Sequence, residues 1–391
     1  MKILLLSPQP FYQVRGTPIA IDLLVQTLSK QGHCIDLVTY HEGEARQYDN
    51  VNHIRTKRFR FLNKIGPGFS IKKLVCSGLM FFTAWSLLRK RKYDLVHANE
   101  EAVFMAWFYK KLYRTPYVYD MDSSLSGQMT DKFPSMRGIF KLAEKLEKVA
   151  IRNSIGVLAV CEALCQIARA HNNNVFLLTD VSMLDRLQPS PKIDTVISKD
   201  DKLVNFMYIG NLETYQGVDL MLESFALARK SNPLIRLIVI GGSLQSIKYY
   251  RDYATKLRIG QLVNFVGPKP FDDIGKYMEQ ADVLLSPRIH GENTPMKIYN
   301  YMASGKAIIA TKTFSHTQVL DECTAELAEV CAESLSKAMV SLANDSQKRI
   351  DLGKTGRSKA ESEYSVAAFE DKVAKFFGEL IQSDLGGGVN G

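Results

Sequence analysis

The feature that most constrains the fold is a rhythm. Short, unalternating apolar runs rich in β-branched residues recur along the chain, each followed by a stretch long enough for an amphipathic helix. Such runs suit strands buried on both faces of a parallel sheet, because a solvated face would place a polar residue at every second position. Strands are expected at Lys2–Pro8, Cys34–His41, Asp94–Ala98, Tyr117–Asp120 and Ile155–Cys161. Helices are expected between them at Pro18–Lys30, Ile71–Arg89, Ala102–Tyr113, Arg137–Arg152 and Glu162–His171. The implied fold is a doubly wound α/β domain.

The rhythm then breaks and restarts. Leu187-Gln-Pro-Ser-Pro-Lys192 and the charged Ser198-Lys-Asp-Asp-Lys202 read as a linker. Beyond it, strands are expected at Asn205–Gly210, Arg236–Gly241, Val263–Gly267, Asp282–Pro287 and Ala307–Thr311. Helices are expected at Val218–Lys230, Ser246–Leu257, Asp272–Gln280 and Thr294–Met302, then at Leu335–Leu342 and Ala367–Ile381. The division is an N-terminal domain over 1–190, a C-terminal domain over 200–362, a helix over 363–385 packing back on the first domain, and a loose tail over 386–391. At 391 residues the chain exceeds one ordinary core. Two tandem α/β domains leave a cleft, the usual place for a small-molecule site.

Charge separates the halves. Residues 1–190 hold 26 Lys+Arg against 16 Asp+Glu, a net +10, whereas 191–391 hold 24 against 25, a net −1. Between Asn50 and Tyr93 lie 11 basic residues and no acidic one, which points to an anionic partner for the first half. Within that stretch Leu74–Leu88 is nearly all apolar, bounded by Lys72-Lys73 and by Arg89-Lys-Arg-Lys92. Fifteen residues are too few to span a bilayer comfortably, at about 20 for a transmembrane helix. The expectation is a peripheral contact with an anionic membrane surface, against the plainer one of a buried helix with solvated basic ends. A second basic stripe, Arg137, Lys141, Lys145, Lys148 and Arg152, is interrupted by Glu144 and Glu147. Interleaved aromatic and basic RNA motifs are missing, which argues against nucleic acid. The opening Met-Lys-Ile-Leu-Leu-Leu is too short for a signal peptide, so a cytoplasmic chain is expected. The six cysteines include no Cys-x-x-Cys pair and read as reduced, buried thiols, so no metal is expected.

Three segments carry candidate chemistry. Ala281 through Thr311 reads as strand, loop, helix, glycine turn and strand, with Thr294 as an N-cap and Pro295 as the first helical residue. The free N–H groups there suit a diphosphate. Lys297, in the first turn, has the wrong charge for the helix dipole, which an anion beside it would explain; an ordinary solvated lysine is the plainer account. Tyr208-Ile-Gly-Asn-Leu-Glu-Thr-Tyr-Gln-Gly217 is a strand, a polar loop and a glycine opening a helix. Gln13-Val-Arg-Gly-Thr-Pro18 again sets a glycine, Gly16, before an N-cap threonine and a proline, or is merely a turn. No G-x-G-x-x-G occurs there, which disfavours a nicotinamide or flavin dinucleotide.

Together with Leu28-Ser-Lys-Gln-Gly-His33, Tyr93-Asp-Leu-Val-His97, Gly241-Gly242 and Val266-Gly267, these segments resemble family 4 of the retaining glycosyltransferases, which has the two-Rossmann-domain GT-B fold. The resemblance implies two Rossmann-like doubly wound domains facing across a cleft. It also implies a UDP- or GDP-linked sugar donor in the C-terminal domain, a hydroxyl acceptor on the N-terminal one, retained anomeric configuration and no metal or other cofactor. The family's glutamate pair maps onto Glu292, which would grip the donor sugar, and Asn300, which would meet the ribose. Asn293, Thr294, Pro295 and Met296 complete the loop. The usual diphosphate-binding Arg and Lys map to Asn211 and Gln216, neither cationic, leaving Arg288 and Lys297 to supply charge beside Gly210. His97 matches a family histidine, Asp122 lies near the position of another, and Glu100 and Glu101 follow His97. In this family the leaving phosphate is held to accept the acceptor's proton, so no side-chain nucleophile is required. A lipid-linked acceptor, in glycolipid or surface-polysaccharide synthesis, is the expectation that goes with the basic half. The alternatives are a non-catalytic subunit of the same fold, suggested by Asn211, Gln216 and Asn300, and a sugar-nucleotide epimerase or phosphorylase.

Overall fold

The computed structural model describes residues 1–63, 65–66, 70–123, 137–192, 194–196 and 203–382, with 137–141 described by backbone only. The chain divides into two compact units, Met1–Thr179 with the chain from Phe369 onward, and Asp180–Ala368.

The first unit carries a seven-stranded, wholly parallel sheet in the order β3-β2-β1-β4-β5-β6-β7. Its strands are β1 Lys2–Ser7, β2 Cys34–Thr39, β3 Val51–Arg55, β4 Leu95–Asn99, β5 Tyr117–Met121, β6 Gly156–Ala159 and β7 Val175–Leu177. Ile3 through Leu6 are fully buried, as a strand inside a two-faced sheet must be. β3 and β7 lie at the two edges. The half-polar Val-Asn-His-Ile-Arg of β3 and the three residues of β7 give almost no strand signal in the sequence. The helix Val366–Leu380 belongs largely to this unit, with Phe376 against Phe176 and Phe377 over His97.

The helix Ile71–Lys90 departs from the expectation of a buried helix with solvated basic ends. It runs 20 residues because Lys72, Lys73, Arg89 and Lys90 are helical too, so by length and composition it could cross a bilayer. Only Cys76, Met80, Ala84 and Leu88, one narrow stripe, are buried. The chain continues at once into β4, which pairs with β1 on one side and β5 on the other, so the segment cannot leave the domain.

The second unit carries a six-stranded parallel sheet in the order β10-β9-β8-β11-β12-β13. Its strands are β8 Val204–Ile209, β9 Ile235–Ile240, β10 Val263–Gly267, β11 Val283–Ser286, β12 Ala307–Thr311 and β13 Glu326–Ala328. The Pro/Ser-rich segment expected as a linker lies on this unit. Ser190 donates from its N–H and its hydroxyl to Asp273, Lys276 reaches the carbonyl of Ser190, and the Val196 N–H reaches Gln280. Residues 198–202 and the expected tail at 386–391 fall outside the described residues. Three of the six thiols are exposed: Cys34 opens β2, Cys323 lies in the turn before β13, and Cys331 is the N-cap of the helix Ala332–Asn344.

Candidate active site

In a parallel sheet ligands collect at the carboxyl ends of the strands, beside the point where strand order reverses. In the second unit that point lies between β8 and β11. The loop leaving β8 passes through Gly210, Asn211 and Gln216 to Gly217, which sits at φ +69°. A Cβ at Gly217 would fall 2.0 Å from the carbonyl oxygen of Pro287, so only glycine lets this loop close on the chain leaving β11.

The loop after β11 ends in the helix Lys297–Ala303, not at Thr294. Met296 is its N-cap and makes no side-chain cap bond. Thr294 and Pro295 therefore precede the helix, although the Ile298 N–H already bonds the Pro295 carbonyl. The hydroxyl of Thr294, 6% exposed, has no hydrogen-bond partner. After β1 the displacement runs the other way. The helix Gly16–Lys30 starts at Gly16 with Arg15 as N-cap, so Thr17 and Pro18 lie inside its first turn. In both loops the threonine-proline pair resembles a cap, but the backbone turns helical elsewhere.

Lys297 is the centre of the site. Its Nζ donates to Gln216 Oε1 at 3.0 Å, sits 4.1 Å from the centre of the Tyr208 ring, and lies 3.4 Å from where a side chain on Gly210 would begin. Burial, and then the positive charge of Arg288, pull its pKa down to about 7. Arg288 donates to the carbonyls of His290 and Asn293, at 2.6 and 3.1 Å, and its guanidinium lies 5.4 Å from the Tyr215 ring. Burial lowers its pKa as well. Neither cation has a carboxylate partner among the described residues. Asn211 holds the loop, with its amide near Tyr215 and its carbonyl accepting from Tyr208.

Below these cations lies a set the sequence reading missed. Buried His316 bonds Ser286 through Nε2 at 2.8 Å and the Thr311 carbonyl through Nδ1 at 2.8 Å, and the Thr311 hydroxyl donates to the Arg288 carbonyl. Burial drives His316 down to about 4, so it is neutral, donating from Nδ1 and accepting at Nε2. Nothing in the sequence marks His316, which lies 30 residues from Ser286.

Glu292 shares the loop of Arg288, whereas Asn300, His97 and Asp122 lie elsewhere. Glu292 is exposed, and its carbonyl accepts from Gln318. Asn300 faces inward, 2% exposed, and its Oδ1 accepts from the Met183 N–H at 2.9 Å and the Ser182 hydroxyl at 3.2 Å. It braces the segment entering the second unit, so the side-chain oxygen of this residue, expected to meet a ribose, is engaged within the protein. His97 is fully buried in the first unit, with Nε2 3.1 Å from Asp120. Asn99 bridges Asp120 to Asp122 at 3.2 and 3.1 Å. Beside them Glu100 occupies φ +47°, and burial together with Glu101 raises its pKa to about 7.

Known proteins share the family and the fold. Residues 14–174 match the model of Glycosyltransferase Family 4, and residues 190–359 that of Glycosyl transferases group 1. The chain is 22% identical over 312 residues to an uncharacterised glycosyltransferase of Methanocaldococcus jannaschii, covering 76% of this chain and 77% of that one. Among solved structures it resembles sucrose-phosphate synthase of Thermosynechococcus elongatus, with a TM-score of 0.79 at 17% identity over 98% of this chain and 100% of that one. It also resembles Anabaena HepE in complex with UDP, with a TM-score of 0.75 at 17% identity over 97% and 100%. With both halves matched in order and the GT-B fold shared, the chain belongs to the family 4, group 1 glycosyltransferases.

Proposed function

We propose that the protein transfers a sugar from a UDP- or GDP-linked donor to a hydroxyl acceptor, retaining anomeric configuration and using no metal. The observation that carries this reading is the pair of cations, Lys297 and Arg288, held partly buried at the carboxyl ends of β8 and β11 with no counter-charge among the described residues. Desolvated charge without a partner is costly, and a diphosphate supplies what is missing. The unpaired Thr294 hydroxyl offers one more donor. HepE has been solved with UDP, which fits a nucleotide in this place.

The division of labour follows. Lys297 and Arg288 take the places of the cations absent at Asn211 and Gln216, and Gln216 aims Lys297. They stabilise charge on the leaving diphosphate. Glu292, exposed on the adjoining loop, grips donor-sugar hydroxyls, and the leaving phosphate receives the acceptor's proton. The first unit receives the acceptor. It works on the cytoplasmic, anionic face of a membrane: Ile71, Leu74 and Phe82 on the helix Ile71–Lys90 are 78%, 62% and 63% exposed beside Lys72, Arg89 and Lys90. A lipid-linked acceptor is the corresponding substrate.

The test is a thermal-shift titration with UDP, GDP and their sugars. A bound nucleotide at about 100 times its dissociation constant adds roughly 2.7 kcal/mol of stability. That gain is expected in wild type and should be lost in Lys297→Met. A nucleotide shift that survives Lys297→Met and Arg288→Gln together would refute this placement.

A further inference from the structure

The first unit has a recess of its own at the carboxyl ends of β1, β2 and β3, about 590 Å³ in volume. Three guanidinium groups line it, those of Arg15, Arg55 and Arg58. None is within ion-pair distance of a carboxylate among the described residues. Arg55 is fixed by its own backbone surroundings, since one nitrogen donates to the carbonyls of Phe11, Gly43 and Glu44 at 3.3, 3.0 and 2.7 Å. Carbonyl bonds orient a guanidinium without neutralising it. Arg15 is also the N-cap of the helix Gly16–Lys30, whose first turn has no side-chain cap.

The wall of the recess holds a second, independent signal. His41 is 7% exposed, and neither of its ring nitrogens has a hydrogen-bond partner. The amide oxygen of Gln13, on the same wall, is also unpaired. A buried imidazole with both nitrogens unsatisfied calls for an explanation. The one carboxylate there, Glu42, accepts from the Ile65 N–H at 2.9 Å, so three cations outnumber one acid.

We infer that this recess binds a phosphate-class oxyanion carried by the molecule the first unit receives, with Arg55 as the fixed fork, Arg15 and Arg58 closing on it from the rim, and His41 donating from the wall. Naming that molecule the acceptor rests on the transferase reading above; the binding of the anion does not. The source is either a soluble phosphoester or a lipid headgroup, since both present the same oxygens.

The experiment follows the His41 ring signal by NMR in the full chain at constant ionic strength, with His41→Gln assigning it among the seven histidines. Inorganic phosphate, glycerol 3-phosphate and vesicles carrying phosphatidic acid are titrated in turn. Saturable movement of the signal is expected, weakened about tenfold or more in the rim variant Arg15→Gln/Arg58→Gln, because each charge-assisted bond lost costs about that much. Saturation by the soluble phosphates assigns a phosphoester, and a response to the vesicles alone assigns a headgroup. A His41 signal unmoved by all three probes, or moved equally in the rim variant, overturns the site. Nucleotide stabilisation measured on the same samples separates this failure from that of the donor reading, and its persistence in the rim variant shows that the variant is folded.

Discussion

Lys297 is a cation held where burial and Arg288 favour its neutral form, with a pKa of about 7. An anion that binds beside it favours the charged form and raises that value. Diphosphate binding above pH 7 must therefore take up part of a proton, and affinity must fall as pH rises through the free-state value. Calorimetry of UDP binding at pH 8 in buffers of different ionisation enthalpy should show this uptake, and Lys297→Met should abolish it. The glutamate and asparagine expected as a functional pair should separate. Glu292→Ala removes an exposed side chain, so transfer should be lost at unchanged melting temperature. Asn300→Ala leaves the buried Met183 N–H without its acceptor. It should cost about 1–3 kcal/mol of stability, with nucleotide affinity per folded molecule nearly unchanged. Denaturant melts and binding isotherms on the two variants decide it.

At the scale of elements, the helix Ser346–Glu363 shows how packing is achieved without an apolar face. Its buried residues are Leu352, Gly353, Gly356 and Ala360. A Cβ on Gly353 would fall 2.1 Å from the carbonyl oxygen of Gly305, in the turn before β12. Backbone meets backbone there, so neither side can shift cheaply. Gly353→Ala should destabilise the protein by about 1–3 kcal/mol, as overpacking does, and a urea melt with unchanged slope would read it. The helix Ile71–Lys90 shows the opposite pattern, a long apolar surface of which one stripe is buried. Phe81 and Trp85 extend that surface to Phe108 and Tyr113 on the helix Ala102–Tyr113.

At the scale of the whole molecule, the positive charge of the first half and this apolar surface combine into one expected behaviour. The full chain should sediment with anionic vesicles at low salt, less so at high salt, and hardly with neutral ones. Each cation near an anionic leaflet contributes up to about 1 kcal/mol. Leu74→Glu/Phe82→Glu should release it at every salt concentration, since both side chains are more than half exposed. Equal partitioning of that variant and wild type would remove the membrane from the account.

The sequence by itself determined the two parallel sheets. Buried central strands need short unbroken apolar runs such as Ile3–Leu6 and Ile238–Ile240, and the length of the longer apolar run, Leu74–Leu88, marks it as a helix. The family resemblance grouped Gly210, Gln216, Arg288 and Lys297, and the pairing of β8 with β11 brings the Lys297 Nζ to Gln216 and close to Gly210. Edge strands β3, β7 and β13 and the helix Ser346–Glu363 left weak marks, being short, half-polar or packed through glycine. Tertiary structure alone decided the rest. It turned Asn300 inward to Ser182 and Met183, started the helix at Lys297 instead of Thr294, and placed His316 under Arg288. It also left His41 unpaired among arginines. Each of these depends on which side chain meets which across a long stretch of chain, and local pattern carries no such information.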